Sequence, residues 1–316
     1  MWGVVVAALL FGLRACADDE VPITPTIPLP ERVTTPTNVP TDPGFPVAVE
    51  DPVGNMVRLA SAPQRIISLS PAHTEILYAL GLGERVVGVT IYCDYPPEVG
   101  AKPEVGAYTT VDLAKVMEQR PDLVLAIPDQ MGEAVPAIQA QGIPVYVAQP
   151  VTVDDTLKTI LTVGHLTGRE GEAQALVSAM HDRIESLQAR LASGQRPRVF
   201  WEASPALISP GPGTLLYDVI ETAGGESITR GVEAPWVQLD PAVVAELDPE
   251  VILLADADEG MTVARAGARP GWAEVSAVQT GRVLAVADKE IFARPGPRLI
   301  EAIEFLVAAF YPELVP

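Results

Sequence analysis

One stretch of this chain is written twice. "VDLAKVMEQRPDLVLA", residues 111–126, returns as "LDPAVVAELDPEVILLA", residues 239–255. Pro121 pairs with Pro249, Asp122 with Glu250, and Leu123-Val124-Leu125 with Val251-Ile252-Leu253, every pair 128 residues apart with no gap. Each copy reads as a helix followed by a short apolar run, and a run of that kind suits a strand buried on both faces of a parallel sheet. A second pair, "AIQAQGIPVYVA" and "SAVQTGRVLAVA", repeats a further helix-strand element. A chain with these repeats is constrained to build two related α/β halves.

The rest of the folded part follows the same grammar. After Pro63, "RIISL", "VVGVT", "DLVLAI" and "VYVA" alternate with helix-like segments, as do "RVFWEA", "EVILLA" and "RVLAVAD" in the second half. Short Val, Ile and Leu runs separated by amphipathic segments predict parallel strands with crossover helices. Between the halves, Leu176, Met180, Ile184, Leu187 and Leu191 recur at helical spacing, which predicts one long helix with an apolar stripe and His181 at its surface. The chain of 316 residues is long enough for two such lobes. The expected fold is α/β: two Rossmann-like lobes, residues 47–165 and 196–316, bridged by one long helix within 166–195.

Ahead of the lobes stand two segments of other character. The run Val4–Leu13 is shorter than a membrane span and has the length of a signal-peptide core. "LRAC" resembles a bacterial lipobox, which makes residues 1–16 a leader and Cys16 the lipidation site. Residues 17–46 are rich in Pro and Thr without a period, as expected of a tether. The protein is expected to be exported to the cell surface or periplasm and anchored to a membrane through Cys16. With 21 Lys and Arg against 41 Asp and Glu, the net charge of −20 would repel nucleic acid.

The stretches "RIISLSPAHTEILYALG", "VGVTIYCDYPPE", "VDLAKVMEQRPDLVLA", "APWVQLDP" and "FARPGPRLIEA" together resemble the solute-binding proteins of cobalamin, ferric-siderophore and haem ABC importers, the cobalamin-binding members above all. The resemblance covers roughly residues 64–312. It implies the helical-backbone metal-chelate receptor fold, a corrinoid or metal chelate held in the cleft between lobes, an importer permease as partner, a monomer, and no cofactor, resident metal or catalysis.

A large, flat, mostly apolar macrocycle with amide edges needs aromatic faces and a few donors at strand ends. Tyr92, Tyr108, Trp236 and Arg294 stand in such loops. Family members carry an aromatic at the positions of Tyr92, Tyr108 and Trp236, whereas Ile127 falls where the cobalamin-binding member has another Trp. His73 and Cys93 are possible metal ligands, but packing at a helix start and burial are the readings preferred for them. The family's two permease-docking glutamates fall on Ala114 and Ala242. Glu118 and Glu246, one helical turn later and 128 residues apart, are the expected replacements; Asp112 and Asp240 fit as N-caps.

Three other functions compete. Haem or a ferric siderophore would use Tyr92 or Tyr108 as a phenolate ligand. A secreted enzyme would use Ser68 or Ser70 with His73, without an evident orienting acid. A receptor that docks to no permease fits the two alanines.

Overall fold

The structure, a computed structural model, describes residues 44–191 and 196–314. The leader 1–16, Cys16 and the tether up to residue 43 lie outside the described residues. No helix among the described residues is long and apolar enough to cross a membrane.

The first lobe opens with an antiparallel hairpin, β1 (Val47–Glu50) and β2 (Met56–Leu59). Its sheet contains β3 (Ile66–Ser68), β4 (Val86–Val89), β5 (Leu123–Ala126) and β6 (Val145–Val147), interleaved with helices α1 (Pro71–Ala79), α2 (Leu113–Glu118) and α3 (Ala134–Gln139). All four strands are parallel, in the order β4-β3-β5-β6. Helices α4 (Val153–Thr167) and α5 (Glu170–Leu191) lead to the second lobe.

That lobe contains β7 (Arg198–Glu202), β8 (Ile208–Pro210), α6 (Leu215–Thr222), β9 (Glu226–Ser227), β10 (Trp236–Gln238), α7 (Pro241–Leu247) and β11 (Val251–Leu254). It closes with α8 (Val263–Gly267), α9 (Ser276–Gln279), β12 (Val283–Ala285), α10 (Glu290–Ala293) and α11 (Leu299–Phe310). Its parallel sheet runs β9-β7-β11-β12, the same topology as the first. The repeated stretch is therefore α2-β5 in one lobe and α7-β11 in the other.

Both faces of each sheet are covered. In β5, Leu123 and Leu125 face one core and Val124 the opposite one; Leu253 and Ile252 divide in the same way in β11. All of them are fully buried. Burial of each such side chain contributes roughly 1.5–3 kcal/mol, which explains why β5 and β11 carry no polar residue.

The link between the lobes differs from the expected single strut over 166–195. Helix α4 ends at Thr167, and Gly168 adopts the left-handed conformation (φ 69°) that closes a helix C-terminus. The bridging helix starts only at Glu170 and packs against α4. Its stripe is split: Ala173, Val177 and Met180 enter the first lobe's core, Ile184 and Leu187 the second's. The remaining stripe residues, Leu176 and Leu191, are half-buried, and His181 is exposed. Helix α4 reaches across as well, since Val153 joins the second core and its N–H donates to Asp218 Oδ2 on α6 (2.7 Å). Two helices thus hold the lobes together.

Ordered packing begins before residue 47. Phe45, placed in the tether by its Pro-rich surroundings, is buried in the first lobe's core. Asp51, at the hairpin turn, accepts hydrogen bonds from Val53 N and Asn55 N, and its other oxygen accepts from Val147 N on β6. The hairpin is thereby fixed to the sheet.

Candidate ligand-binding cleft

The C-terminal ends of the parallel strands supply the loops that line the cleft, the usual location of ligand sites in open α/β sheets. After β4 the chain turns through Thr90–Cys93 and exposes half of the Tyr92 ring. Ile91 N donates to Gly106 O, tying this loop to the one that carries Tyr108. Gly106 is required there: it has φ 135°, and a Cβ would lie 2.5 Å from Thr110 O.

Buried Gln130 fixes the Tyr108 loop. Its Nε2 donates to Tyr108 O (2.8 Å) and Leu69 O (2.9 Å), while its Oε1 accepts from Ile127 N (3.0 Å). In the second lobe the equivalent position is Trp236, also 128 residues on. It is carried on β10, which pairs antiparallel with β8, and half of its ring is exposed. Trp236 thus stands on a two-stranded ribbon where Tyr108 stands on a loop.

Tyr92, Tyr108 and Arg294 line one cavity of about 490 Å³, together with Ile127, His73 and Gln149. Trp236 lines a neighbouring cavity of about 330 Å³ against Trp201, Leu216 and Phe292. The two cavities share Glu290 and Ala293 of α10 as a common wall. The four residues chosen from sequence are therefore divided three to one over adjoining cavities.

Arg294 has a second role in the cleft wall. Only 7 % exposed, it bonds Asp94 (Nη1–Oδ1 2.6 Å) and Glu75 (Nη1–Oε1 3.3 Å) of the first lobe and Glu290 (Nη2–Oε2 3.0 Å) of its own. Burial alone would lower its pKa, but these carboxylates more than offset that and raise it. For Glu75 burial pushes the carboxyl up, opposed by Arg294 and Arg298. The hydrogen bond from Arg294 holds Asp94 below its ordinary value. These three charges clamp the lobes together at the cleft, and no sequence signal joins residues 219 positions apart.

His73 is 1 % exposed, and neither ring nitrogen has a hydrogen-bond partner. Burial pushes its pKa down to about 4, so the imidazole is neutral. It packs at the start of α1, as expected, and the polar groups of that turn bond one another: Thr74 Oγ1 donates to Ser68 Oγ and Ser70 O, and Ser68 Oγ to Ser70 O. Ser68 and Ser70 thus build a strand-to-helix turn, and neither hydroxyl contacts His73. The Cys93 thiol is buried beside Thr90 Oγ1 (3.2 Å), and burial pushes its pKa up. Glu118 and Glu246 are both exposed at the ends of α2 and α7, as are Ala114 and Ala242.

A family model described as periplasmic binding protein matches residues 66–289, and the chain belongs to that family. It is 32% identical over 278 residues to the uncharacterized ABC transporter substrate-binding lipoprotein YvrC of Bacillus subtilis, covering 85% of this chain and 87% of that one. Among solved structures it is similar to the periplasmic vitamin B12 binding protein BtuF of Vibrio cholerae (TM-score 0.69, 28% identity, 80% of this chain and 99% of that one). It is equally similar to the periplasmic heme-binding protein RhuT from Roseiflexus (TM-score 0.68, 28% identity, 79% and 98%). The α/β fold with its long bridging helix is the fold of these binding proteins.

Proposed function

We propose that the protein is an extracytoplasmic receptor that captures a corrinoid, cobalamin or a close relative, between its lobes and delivers it to an ABC importer. The observation that carries this reading is the distribution of rings. Aromatics are only 5% of the chain, yet Tyr92 and Tyr108 from one lobe and Trp236 from the other line cavities that meet at α10. Ring faces around a mostly apolar space suit a flat macrocycle, and exposed Gln149 offers a donor to its amide edges, whereas the N–H groups of Arg294 are taken up by Asp94, Glu75 and Glu290. Likeness to the Vibrio cholerae vitamin B12 protein and to a Bacillus subtilis ABC substrate-binding lipoprotein supports the ligand class, the importer and export with anchoring through Cys16.

Haem is the second reading. It is favoured by the likeness to the Roseiflexus heme-binding protein and by the phenols of Tyr92 and Tyr108 beside a neutral His73 in one cavity. Spectral titration of the purified protein with cobalamin, cobinamide and haemin separates the two. Saturable binding of a corrinoid at low micromolar concentration or tighter is expected; preference for haemin selects the second reading, and no saturable binding of any of the three rejects both.

For docking, Glu118 and Glu246 would present paired charges to a permease, one turn beyond Ala114 and Ala242. Reversing both to Lys should weaken permease binding, and unchanged affinity removes that assignment.

A further inference from the structure

The charged groups of the cleft limit what it can hold. Among the described residues that line its two cavities, Arg294 and Lys289 are the only cations, His73 being buried and neutral. A guanidinium has five N–H groups to donate, and in Arg294 each of them is in use. Nε donates to Glu290 Oε2 (3.1 Å), Nη1 to Asp94 Oδ1 (2.6 Å) and Glu75 Oε1 (3.3 Å), and Nη2 to Asp94 Oδ2 (3.3 Å) and Glu290 Oε2 (3.0 Å). Lys289 lines only the Trp236 cavity, and its charge is met by Asp258 (Nζ–Oδ2 2.6 Å), which with Glu259 and Glu290 raises its pKa. An anionic group entering the cleft finds no unpaired cation.

It finds carboxylates instead. Asp94 and Glu290 stand in the wall of the Tyr92 cavity with side chains 67 % and 49 % exposed, and Arg294 keeps Asp94 ionised. Even with Glu75 left out, two carboxylates meet one guanidinium. To win an N–H of Arg294, a ligand carboxylate must displace one of them and then lie beside a like charge, which opposes binding. The net charge of −20 carries the same sign to longer range. Tyr92, Tyr108 and Gln149, by contrast, meet the ligand with neutral polar groups.

We propose that the cleft selects its ligand by charge: it takes a neutral or cationic metal chelate with amide or hydroxamate edges and rejects one whose periphery carries carboxylates. The inference rests on the reading of the cleft as the ligand site and narrows the class of ligand. A corrinoid with every peripheral acid amidated satisfies it. Haem satisfies it only when its propionates are masked.

Spectral titration of the full chain at neutral pH and fixed ionic strength tests this with pairs that share a scaffold and differ in charge. The pairs are cyanocobalamin and its monocarboxylic acid, haemin dimethyl ester and haemin, and ferrioxamine B and its anionic N-succinyl derivative. On any scaffold that binds, the neutral or cationic member should bind about ten-fold or more tightly than the anionic one. Asp94→Asn removes one wall carboxylate and keeps the side-chain shape, so that ratio should shrink by about three-fold or more, with a thermal melt confirming the fold. Failure of the cobalamin pair with the preference kept on another scaffold supports the charge rule and rejects the corrinoid reading. Equal or tighter binding of an anionic member, or a ratio unmoved by Asp94→Asn, overturns the proposal. Absence of binding by every pair overturns it together with the cleft as the ligand site.

Discussion

Arg120 in the first lobe and Asp248 in the second occupy the same step of the repeat, and both have left-handed backbones, with φ of 47° and 46°. Each precedes the proline that separates helix from strand. Asp112 and Asp240 cap α2 and α7 by accepting from Lys115 N and Ala242 N. Asp122 accepts from Gln64 N and Arg65 N ahead of β3, and Glu250 accepts from Arg198 N at the start of β7. The likeness ends at the cleft. Tyr108 rides on a loop held by Gln130, Trp236 on the β8-β10 ribbon, and the buried ionisable groups differ. Next to the first sheet lies His73; at the end of β11 lies Asp256, fully buried, with neither carboxylate oxygen partnered. Repetition therefore builds the walls, and divergence at the strand ends builds the site.

The largest expected effect breaks the join between the lobes. Arg294→Ala strands Glu75 as a buried charge and should lower stability by about 3–5 kcal/mol, read from the urea unfolding midpoint. A loss below about 1 kcal/mol would mean that the clamp is ornamental.

Acid should then act on the two lobes in opposite senses. Burial, followed by nearby Glu202, pushes Asp256 up to about 6 from 3.8. The folded state therefore holds a proton that the unfolded state has lost, and the fold gains stability as pH falls from about 6 toward 4. Asp256→Asn should be more stable than the parent by roughly 1–3 kcal/mol at pH 7.5, with the gap closing by pH 4. His73, held at about 4 against an ordinary 6.5, works the other way, and its lobe loses stability as pH falls through that window. His73→Gln should flatten that loss, which a pH series of thermal melts would detect.

The smallest effect sharpens the symmetry itself. Asp112→Ala and Asp240→Ala should each cost about 1 kcal/mol, because each removes one cap from one copy of the same element. A marked inequality would show that the two helices bear different loads.

How much of this was legible depended on the range of each interaction. The apolar runs of β5 and β11, the caps and the apolar stripe of α5 are local patterns, set by burial on both faces and by helical period; the division of that stripe between two cores is not. Gly168 carried a signal too, a glycine after an amphipathic run, but the continuity of the following stripe masked the break before α5. Phe45 was hidden by the prolines around it. Glu75, Asp94 and Gln130 gave no local sign, since each gains its role only when chain segments distant in sequence are brought together.

The central claim is that the two halves close on one guest, and a single paired measurement addresses it. Tyr108→Ala and Trp236→Ala, the equivalent positions of the repeat, are titrated with whichever corrinoid or haem the parent binds. Both affinities should fall about ten-fold or more, the loss of roughly 1.4 kcal/mol expected for one ring face. If either variant binds as tightly as the parent, the ligand rests on one lobe alone and the account is wrong.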